Sequence, residues 1–182
     1  MKLCGIDEAG RGPLAGPLTI AGVILHVPID GLNDSKKLTE KKREALFEVI
    51  TQNSAYHICR FSADQIDELG LSVCLATGLR EIMSALGEAD YLYDGNSKFG
   101  VSGIRTMVKA DAIIPEVSAA SILAKVTRDR EMIELASLYP QYGFEGHKGY
   151  GSAAHIEAIR QYGHCEIHRK TFKLKSLQPS LF

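Results

Sequence analysis

The sequence predicts an α/β fold in which helices pack on a mixed β-sheet. Two observations predict it. Short segments rich in Ile, Leu and Val alternate with longer segments whose apolar residues recur at helical spacing, and an opening pair of strands precedes the first helix. At 182 residues, with no internal repeat or linker-like stretch, the chain is long enough for one well-cored domain and too short for two. We therefore expect a single domain.

Five short apolar segments are predicted as strands. They are residues 2–7, 17–27, 55–61, 89–94 and 103–111. A Gly/Pro turn joins the first two, and a Gly-Asn pair stops the fourth. The first, fourth and fifth each end in an acidic residue, which places carboxylates at several strand ends.

Four segments are predicted as helices from capping residues and apolar periodicity. They run from Thr39 to about residue 52, from 71 to 86, from Pro115 to about 136, and from Ser152 to just before Gly163. The third begins with SAASILAK after its first turn, a run of small side chains that lets a helix approach a sheet or a ligand closely. The apolar stripes of the first two helices are predicted as core.

Composition excludes several classes of protein. Apolar runs such as LTIAGVIL at residues 18–25 are far shorter than a membrane span, and the N-terminus lacks a signal sequence, so we expect a cytosolic protein with no membrane partner. The four cysteines show no paired spacing and imply no disulfide framework. Zinc binding by His164, Cys165 and His168 is an alternative to core or surface roles, but no second cysteine pair lies nearby.

Charge is unevenly placed along the chain, although the net charge is only −1. Basic residues cluster at residues 36–43 and again at 169–175, whereas residues 62–94 carry seven acids against the single Arg80. This segregation suits a protein with one face for an anionic partner, and solvated helix faces explain such runs equally well.

The stretch GIDEAGRGPLAGP sets Asp7 and Glu8 beside the turn Gly10-Arg11-Gly12. Adjacent carboxylates repel unless a cation lies between them, so a metal site and a solvated turn are both open. Asp94 and Asp111 also fall at predicted strand ends, where ligands bind in open α/β sheets. A site made mainly of carboxylates favours a hard divalent ion such as Mg²⁺ or Mn²⁺.

Seven motifs span nearly the whole chain in a fixed order. They are DEAGRGPLAGP at 7–17, LNDSKKL at 32–38, YDGN at 93–96, VKAD at 108–111, PEVSAASILAKVTRD at 115–129, YPQYGFEGHKGYG at 139–151 and HRKTF at 168–172. In these motifs the chain closely resembles one family, the type 2 ribonuclease H of bacteria and archaea, called ribonuclease HII. The acidic quartet of the family shows no departure here.

The resemblance implies a ribonuclease H-like fold, a mixed five-stranded sheet flanked by helices, with a helical C-terminal extension. Within the single domain 1–182, the core would cover about 1–138, the extension about 139–175 and a tail 176–182. The resemblance also implies an endonuclease that cleaves the RNA strand of RNA/DNA hybrids. It would also incise on the 5′ side of ribonucleotides embedded in duplex DNA, leaving 3′-hydroxyl and 5′-phosphate ends.

The resemblance assigns roles to individual residues. Asp7, Glu8, Asp94 and Asp111 would hold two divalent ions, Mn²⁺ or Mg²⁺, that activate a water. The turn formed by Gly10, Arg11 and Gly12 would read the 2′-hydroxyl of the ribonucleotide. Tyr150 would pack on the sugar of the following nucleotide, with a buried core tyrosine as the alternative.

Further residues are candidates for phosphate contacts. Ser35, Lys36 and Lys37 would position the nucleic-acid backbone. Ser118, Ser121 and Arg169 would add to the groove, although capping or packing explains them at least as well. His147 and His168 are ranked as structural, because a metal-activated water needs no histidine.

The tail resembles peptides by which bacterial repair proteins dock on the replication sliding clamp. Gln178, Leu181 and Phe182 would make this contact, although Pro179 stands where a leucine is usual. A disordered tail or intramolecular packing is the alternative, and we expect the chain to be a monomer.

Three other functions would explain part of the sequence. The type 3 relative carries an added N-terminal domain, for which a first strand at residue 2 leaves no room. A noncatalytic nucleic-acid-binding module would have lost one or more of the acids, and all four are present. A metal-dependent phosphatase of small molecules explains the acids but leaves the lysine cluster and the glycine turn without a role.

Overall fold

Five strands form one mixed sheet in the order β3-β2-β1-β4-β5. They are β1 (Leu3–Ala9), β2 (Leu18–Leu25), β3 (Ser54–Phe61), β4 (Asp90–Asp94) and β5 (Ile104–Met107). The pairs β1–β2 and β2–β3 are antiparallel, whereas β1–β4 and β4–β5 are parallel. The computed structural model describes residues 1–32 and 35–174. The predicted mixed five-stranded sheet is confirmed.

Six α-helices lie in the described part of the chain. They are α1 (Glu40–Gln52), α2 (Ala63–Leu69), α3 (Leu71–Leu86), α4 (Pro115–Leu138), α5 (Phe144–His147) and α6 (Ala153–Tyr162). Buried side chains of α2 and α3 pack on one face of the sheet, and those of α1 and α4 pack on the other. No single helix of this part is long and apolar enough to cross a membrane, and α2 with α3 passes that test only as a pair bent by 110°.

Helix α4 lies close against β1 because both elements carry small residues at the contact. A Cβ atom on Gly5 would lie 2.3 Å from the backbone of Glu116 and of Val117, so only glycine fits there. Ala119 and Ala120 in the following turn are fully buried. The run of small side chains in the first half of α4 therefore faces the sheet. It lets α4 pack closely against the strand that carries Asp7.

Three elements differ from the prediction. One is α5 (Phe144–His147), a single turn that no apolar periodicity indicates. Strand β5 ends at Met107, and Asp111 lies in a short 3-10 turn, residues 110–112, that follows Lys109 in a left-handed conformation. Helix α2 was not predicted, although Ser62 and Gln65 form a capping box at its start. A helix of seven residues is too short to show a clear apolar periodicity, so only its capping box could have predicted it.

The C-terminal segment returns to the turn between β1 and β2. The Gly16 N–H donates to the carbonyl of Ile167 at 2.9 Å, and the Arg169 N–H donates to that of Leu14 at 2.8 Å. The Leu14 N–H in turn donates to the carbonyl of Gly149 at 2.8 Å. Residues 149 and 167–169 therefore support the turn that follows Asp7 and Glu8.

Candidate active site

Three aspartates meet at the ends of two neighbouring strands. Ile6 of β1 pairs with Tyr93 of the parallel strand β4, so the next residues, Asp7 and Asp94, lie side by side. The backbone N–H of Asp111 donates to Asp94 Oδ2 at 2.9 Å, which ties the 3-10 turn to β4. One carboxylate oxygen from each aspartate lies within 4.8 Å of the other two. The spacing is compact enough for a single ion to contact all three.

Glu8 lies beside this group and is not part of it. Successive residues of a strand project to opposite faces, and the partners across the β1–β2 ladder show this: Ala21 opposite Asp7 belongs to the α4 side, and Ile20 opposite Glu8 to the α3 side. Glu8 Oε2 accepts a hydrogen bond from the Tyr93 hydroxyl at 2.6 Å. The sequence prediction treated the adjacent acids as equivalent, and the strand geometry separates them.

The aspartates carry the electrostatic signature of a cation site. Burial raises the pKa of Asp7 well above its usual value, and the charges of Glu8 and Asp94 raise it further. Burial also raises the pKa of Asp94. Asp111 Oδ1 is buried and has no hydrogen-bond partner within residues 1–32 and 35–174. Crowded carboxylates with an unpartnered buried oxygen fit a hard divalent ion.

Lys36 is the cation nearest to this group among those described. Its Nζ lies 3.4 Å from Asp111 Oδ2, and that carboxylate raises the pKa of the Lys36 amine. The Lys36 side chain is 76% exposed, so it is free to turn towards a ligand. It is placed to contact an anion bound next to the aspartates.

A cleft of about 460 Å³ opens above Asp7 and Asp94, whereas Asp111 is buried beside them and does not line it. The cleft brings together ten of the predicted site residues: Asp7, Glu8, Gly10, Arg11, Gly12, Ser35, Lys36, Asp94, Ser121 and Tyr150. Lys37 is exposed next to it and does not line it, and Ser118 donates instead to the carbonyl of Leu32 in a packing role. Ser121 of α4 does line the cleft.

Arg169 lies behind the glycine turn, not in the groove. It is 1% exposed, and its guanidinium donates to the carbonyls of Gly10 at 2.6 Å, Arg11 at 3.2 Å, Gly16 at 2.9 Å and Pro17 at 3.1 Å. The expectation that Arg169 reaches the substrate is corrected by this burial. Its observed contacts are with the turn itself.

A second buried arginine, Arg128 of α4, completes the support. It is 1% exposed and donates to the carbonyls of Ala15 at 3.0 Å, Pro17 at 2.8 Å and Lys148 at 2.8 Å. Burial lowers the pKa of Arg169 to about 9, with a further contribution from the Arg128 charge. Two guanidinium groups thus share the carbonyls of one turn.

Tyr150 presents its ring to the cleft. It is 43% exposed, which excludes the alternative of a buried core tyrosine. The Arg128 guanidinium lies 5.4 Å from the centre of the Tyr150 ring, a cation–π distance. Arg128 therefore contacts both the segment that carries Tyr150 and the turn after β1.

Two charged residues that line the cleft and one buried tyrosine behind it were not among the predicted site residues. Arg43 stood in the basic cluster, Lys125 follows Ser121 by one helical turn, and Tyr93 directly precedes Asp94. The charge cluster and the helical spacing could have indicated the first two. Tyr93 could have been found only from the strand pairing.

The predicted alternative of zinc at the HCEIH segment is not favoured by the contacts of His168. Its Nδ1 accepts from the backbone N–H of Cys165 at 2.9 Å, and its Nε2 lies 2.9 Å from Nε2 of His155. Both ring nitrogens are therefore used within the protein. His147 likewise donates from Nε2 to the carbonyl of Tyr142 at 2.6 Å, so the structural ranking of both histidines agrees with their contacts.

The predicted docking residues Gln178, Leu181 and Phe182 lie outside the described residues.

Comparison with known proteins agrees with the geometry. Residues 4–175 match the family profile of Ribonuclease HII. The chain is 65% identical over 181 residues to Ribonuclease HII of Sulfurovum sp. (strain NBC37-1), covering 99% of this chain and 96% of that protein. Its fold is similar to the ribonuclease in the PCNA:RNase HII complex of Archaeoglobus fulgidus, with a TM-score of 0.82, 28% identity and coverage of 100% and 98%. It is also similar to ribonuclease H2 of Pyrococcus horikoshii OT3, with a TM-score of 0.75, 32% identity and coverage of 95% and 94%.

Proposed function

Because the chain belongs to the ribonuclease HII family, whose members are RNase H endonucleases, we propose that it hydrolyses the RNA strand of RNA/DNA hybrids. We further propose that it incises duplex DNA on the 5′ side of embedded ribonucleotides, leaving 3′-hydroxyl and 5′-phosphate ends. One observation carries this proposal: three carboxylates, a glycine turn and an exposed tyrosine line or border one cleft.

The aspartates are the metal ligands in this proposal. Asp7, Asp94 and Asp111 would hold divalent ions, Mg²⁺ or Mn²⁺, and Glu8 would complete the set from the neighbouring face. When bound, a pair of such ions supplies an activated water and stabilises the entering and leaving oxygens of the phosphodiester. The unpartnered Oδ1 of Asp111 supports this assignment.

The turn formed by Gly10, Arg11 and Gly12 would recognise the ribose. A Cβ atom on Gly12 would meet no protein atom within 4 Å, so this side of the turn is open towards the cleft. The 2′-hydroxyl both donates and accepts hydrogen bonds and distinguishes RNA from DNA. Arg169 donates hydrogen bonds to the carbonyls of Gly10 and Arg11 from the side away from the cleft. These bonds keep the backbone of the turn in place.

The remaining cleft residues would position the strand. Tyr150 would pack on the sugar that follows the ribonucleotide, since its ring is exposed on the cleft. Lys36 and Ser35 would contact the backbone phosphates, with Lys37 next to them. Such contacts fix the register of a nucleic acid without reading its sequence.

A clamp interaction is part of the proposal. The Archaeoglobus fulgidus structure is a complex of an RNase HII with PCNA, and that protein is 28% identical to this chain. We propose that residues 178–182 dock on the replication sliding clamp. Deleting these five residues should abolish clamp binding while leaving cleavage unchanged, and undiminished binding by the truncated chain would remove this part of the proposal.

The reaction is tested with a labelled DNA duplex that contains one ribonucleotide. The wild type and Asp7→Asn are incubated with Mg²⁺, with Mn²⁺ or with a chelator. We expect a nick on the 5′ side of the ribonucleotide that needs the metal and is lost in the variant. Failure of both metals to support cleavage, on this duplex and on a longer RNA/DNA hybrid, would overturn the proposed activity.

A further inference from the structure

Two buried histidines lie beneath the segment that carries Tyr150 and take no part in the proposed chemistry. His155, on α6, is 0% exposed, and His168, in the C-terminal segment, is 1% exposed. Their Nε2 atoms lie 2.9 Å apart. A hydrogen bond at this distance requires one ring to donate and the other to accept.

The surrounding hydrogen bonds assign the proton positions. His168 Nδ1 accepts from the backbone N–H of Cys165 at 2.9 Å, so the proton of a neutral His168 ring lies on Nε2. His155 Nε2 must then be the acceptor, which places the His155 proton on Nδ1. That atom lies 2.8 Å from the carbonyl oxygen of Tyr150, to which it donates. A single direction of donation satisfies all three bonds.

The backbone of Tyr150 is fixed on both sides by this segment. Its N–H donates to the carbonyl of His147 at 3.0 Å, and its carbonyl also accepts from the N–H of Ser152 at 2.9 Å. The bond from His155 adds a tie to a buried side chain of α6 and, through His168, to the C-terminal segment. The rings of His147 and His155 are stacked, with centroids 4.3 Å apart.

We propose that His155 is a positioning residue for Tyr150, and that His168 holds His155 in the tautomer that donates to the Tyr150 carbonyl. This inference rests on the proposed role of Tyr150 beside the sugar of the substrate. Through the series of hydrogen bonds from Cys165 to Tyr150, the C-terminal extension sets where the Tyr150 ring lies in the cleft.

Burial keeps the two histidine rings neutral. It lowers the pKa of His155 and of His168, and the neighbouring His147 and His164 oppose a positive charge on either ring. A proton added to His155 would place N–H groups from both rings face to face. The arrangement therefore requires two neutral rings, which is the state that burial favours.

Two amide substitutions separate positioning from packing. The side-chain nitrogen of His155→Asn stands near the position of Nδ1 and keeps a donor for the Tyr150 carbonyl, whereas the longer His155→Gln reaches towards His168 and loses that donor. On the duplex with one ribonucleotide, we expect His155→Gln to lower kcat/KM about tenfold, the loss of roughly one hydrogen bond, and His155→Asn to stay within about threefold. Equal losses in the two variants would overturn the inference.

A double-variant comparison adds a second readout. If His155 acts through Tyr150, the double variant His155→Gln with Tyr150→Ala should be no slower than Tyr150→Ala alone. If instead the loss of kcat/KM in the double variant equals the product of the two single losses, His155 has a separate structural role and the inference is overturned. Thermal unfolding of each variant reports whether it is folded.

The wild type provides a test that depends neither on folding of a variant nor on activity. The ¹⁵N spectrum of its histidines near neutral pH should show neutral rings, protonated on Nδ1 in His155 and on Nε2 in His168. A charged ring or the opposite tautomer would overturn the inference while leaving the proposed function standing. A wild type inactive on both substrates would overturn the proposed function, and with it the role of Tyr150 on which the inference rests.

Discussion

The Tyr93 hydroxyl donates a hydrogen bond of 2.6 Å to Glu8, and this bond ties the second acid of β1 to the strand that carries Asp94. Tyr93 is 1% exposed, and burial together with the Glu8 charge raises its pKa well above the usual value. The hydroxyl thus remains a donor, and it fixes the orientation of the one predicted acid that stands apart from the three aspartates.

Tyr93→Phe should loosen the Glu8 carboxylate, which keeps its 3.4 Å contact with Arg11, without disturbing the core, because the ring is unchanged. We expect kcat to fall about tenfold, as for loss of one hydrogen bond to a charged group. The measurement is metal-dependent cleavage of the duplex with one ribonucleotide. Tyr91→Phe is the matched control, since the Tyr91 hydroxyl donates to the carbonyls of Met83 and Gly87. Equal activity in the two variants would contradict a role for the bond to Glu8.

Asp7→Asn should make the metal-free protein more stable. The raised pKa of Asp7 shows that its charge is unfavourable among the other acids, and the amide removes that charge. We expect the Tm in chelator to rise by about 2–4 °C, which corresponds to about 1 kcal/mol for a chain of this size. Added Mn²⁺ should reverse the order, because the wild type gains stability from the ion. A variant less stable than the wild type in chelator would contradict the repulsion.

Lys36→Ala should weaken substrate binding with little effect on the fold, because the Lys36 side chain is exposed. We expect KM to rise about threefold to tenfold. The slope of log KM against log salt should decrease by about the amount that one phosphate contact contributes. Steady-state kinetics over a series of salt concentrations provides the measurement. Lys2→Ala, at the opposite end of β1 from Asp7, is the control and should keep the wild-type slope.

Arg169→Lys should destabilise the chain strongly. A lysine ammonium cannot reach the four carbonyls that the buried guanidinium contacts, so several buried acceptors lose their donor. We expect the free energy of unfolding in urea to fall by roughly 2–4 kcal/mol. Arg105→Lys provides the comparison: the Arg105 side chain pairs with Asp90 at the surface and should change stability little. Similar losses for both would contradict the importance of the carbonyl contacts.

Stability should decrease as the pH falls below neutral, in part because of His168. Burial lowers its pKa from the usual 6.5 to about 3, so between these values the unfolded chain binds more protons than the folded chain. From neutral pH to about pH 5, this group should cost on the order of 2 kcal/mol of unfolding free energy.

Urea unfolding at several pH values measures this dependence. His168→Gln should flatten the curve, whereas the exposed His26 is the control, and His26→Gln should leave the curve unchanged. An unchanged curve in His168→Gln would contradict the buried neutral histidine.

The sequence predicted the sheet well because each strand carries its own local pattern. It predicted the meeting of Asp7 and Asp94 because acids that follow apolar strands collect at one edge of a sheet. Asp111 joins them from the 3-10 turn after β5 and not from the predicted strand end. The sequence did not separate Glu8 from Asp7 because the predicted strand ended at residue 7, whereas β1 continues to Ala9 and its alternation places the two acids on opposite faces. No local pattern distinguishes Arg128 from a solvated helix charge, because its burial depends on carbonyls of residues 15, 17 and 148, which lie far apart in sequence from one another or from the helix.

The contacts of Arg128 have a consequence for how the cleft would discriminate substrates. This side chain binds the turn after β1 on one side and lies against the Tyr150 ring on the other. Under the proposed function, the two surfaces that it joins face successive sugars of one strand. The separation between these surfaces is then a fixed length, set by a buried side chain that no substrate touches. A ribonucleotide followed by a deoxyribonucleotide would then be recognised only if the spacing of its two sugars matches the spacing of these two surfaces.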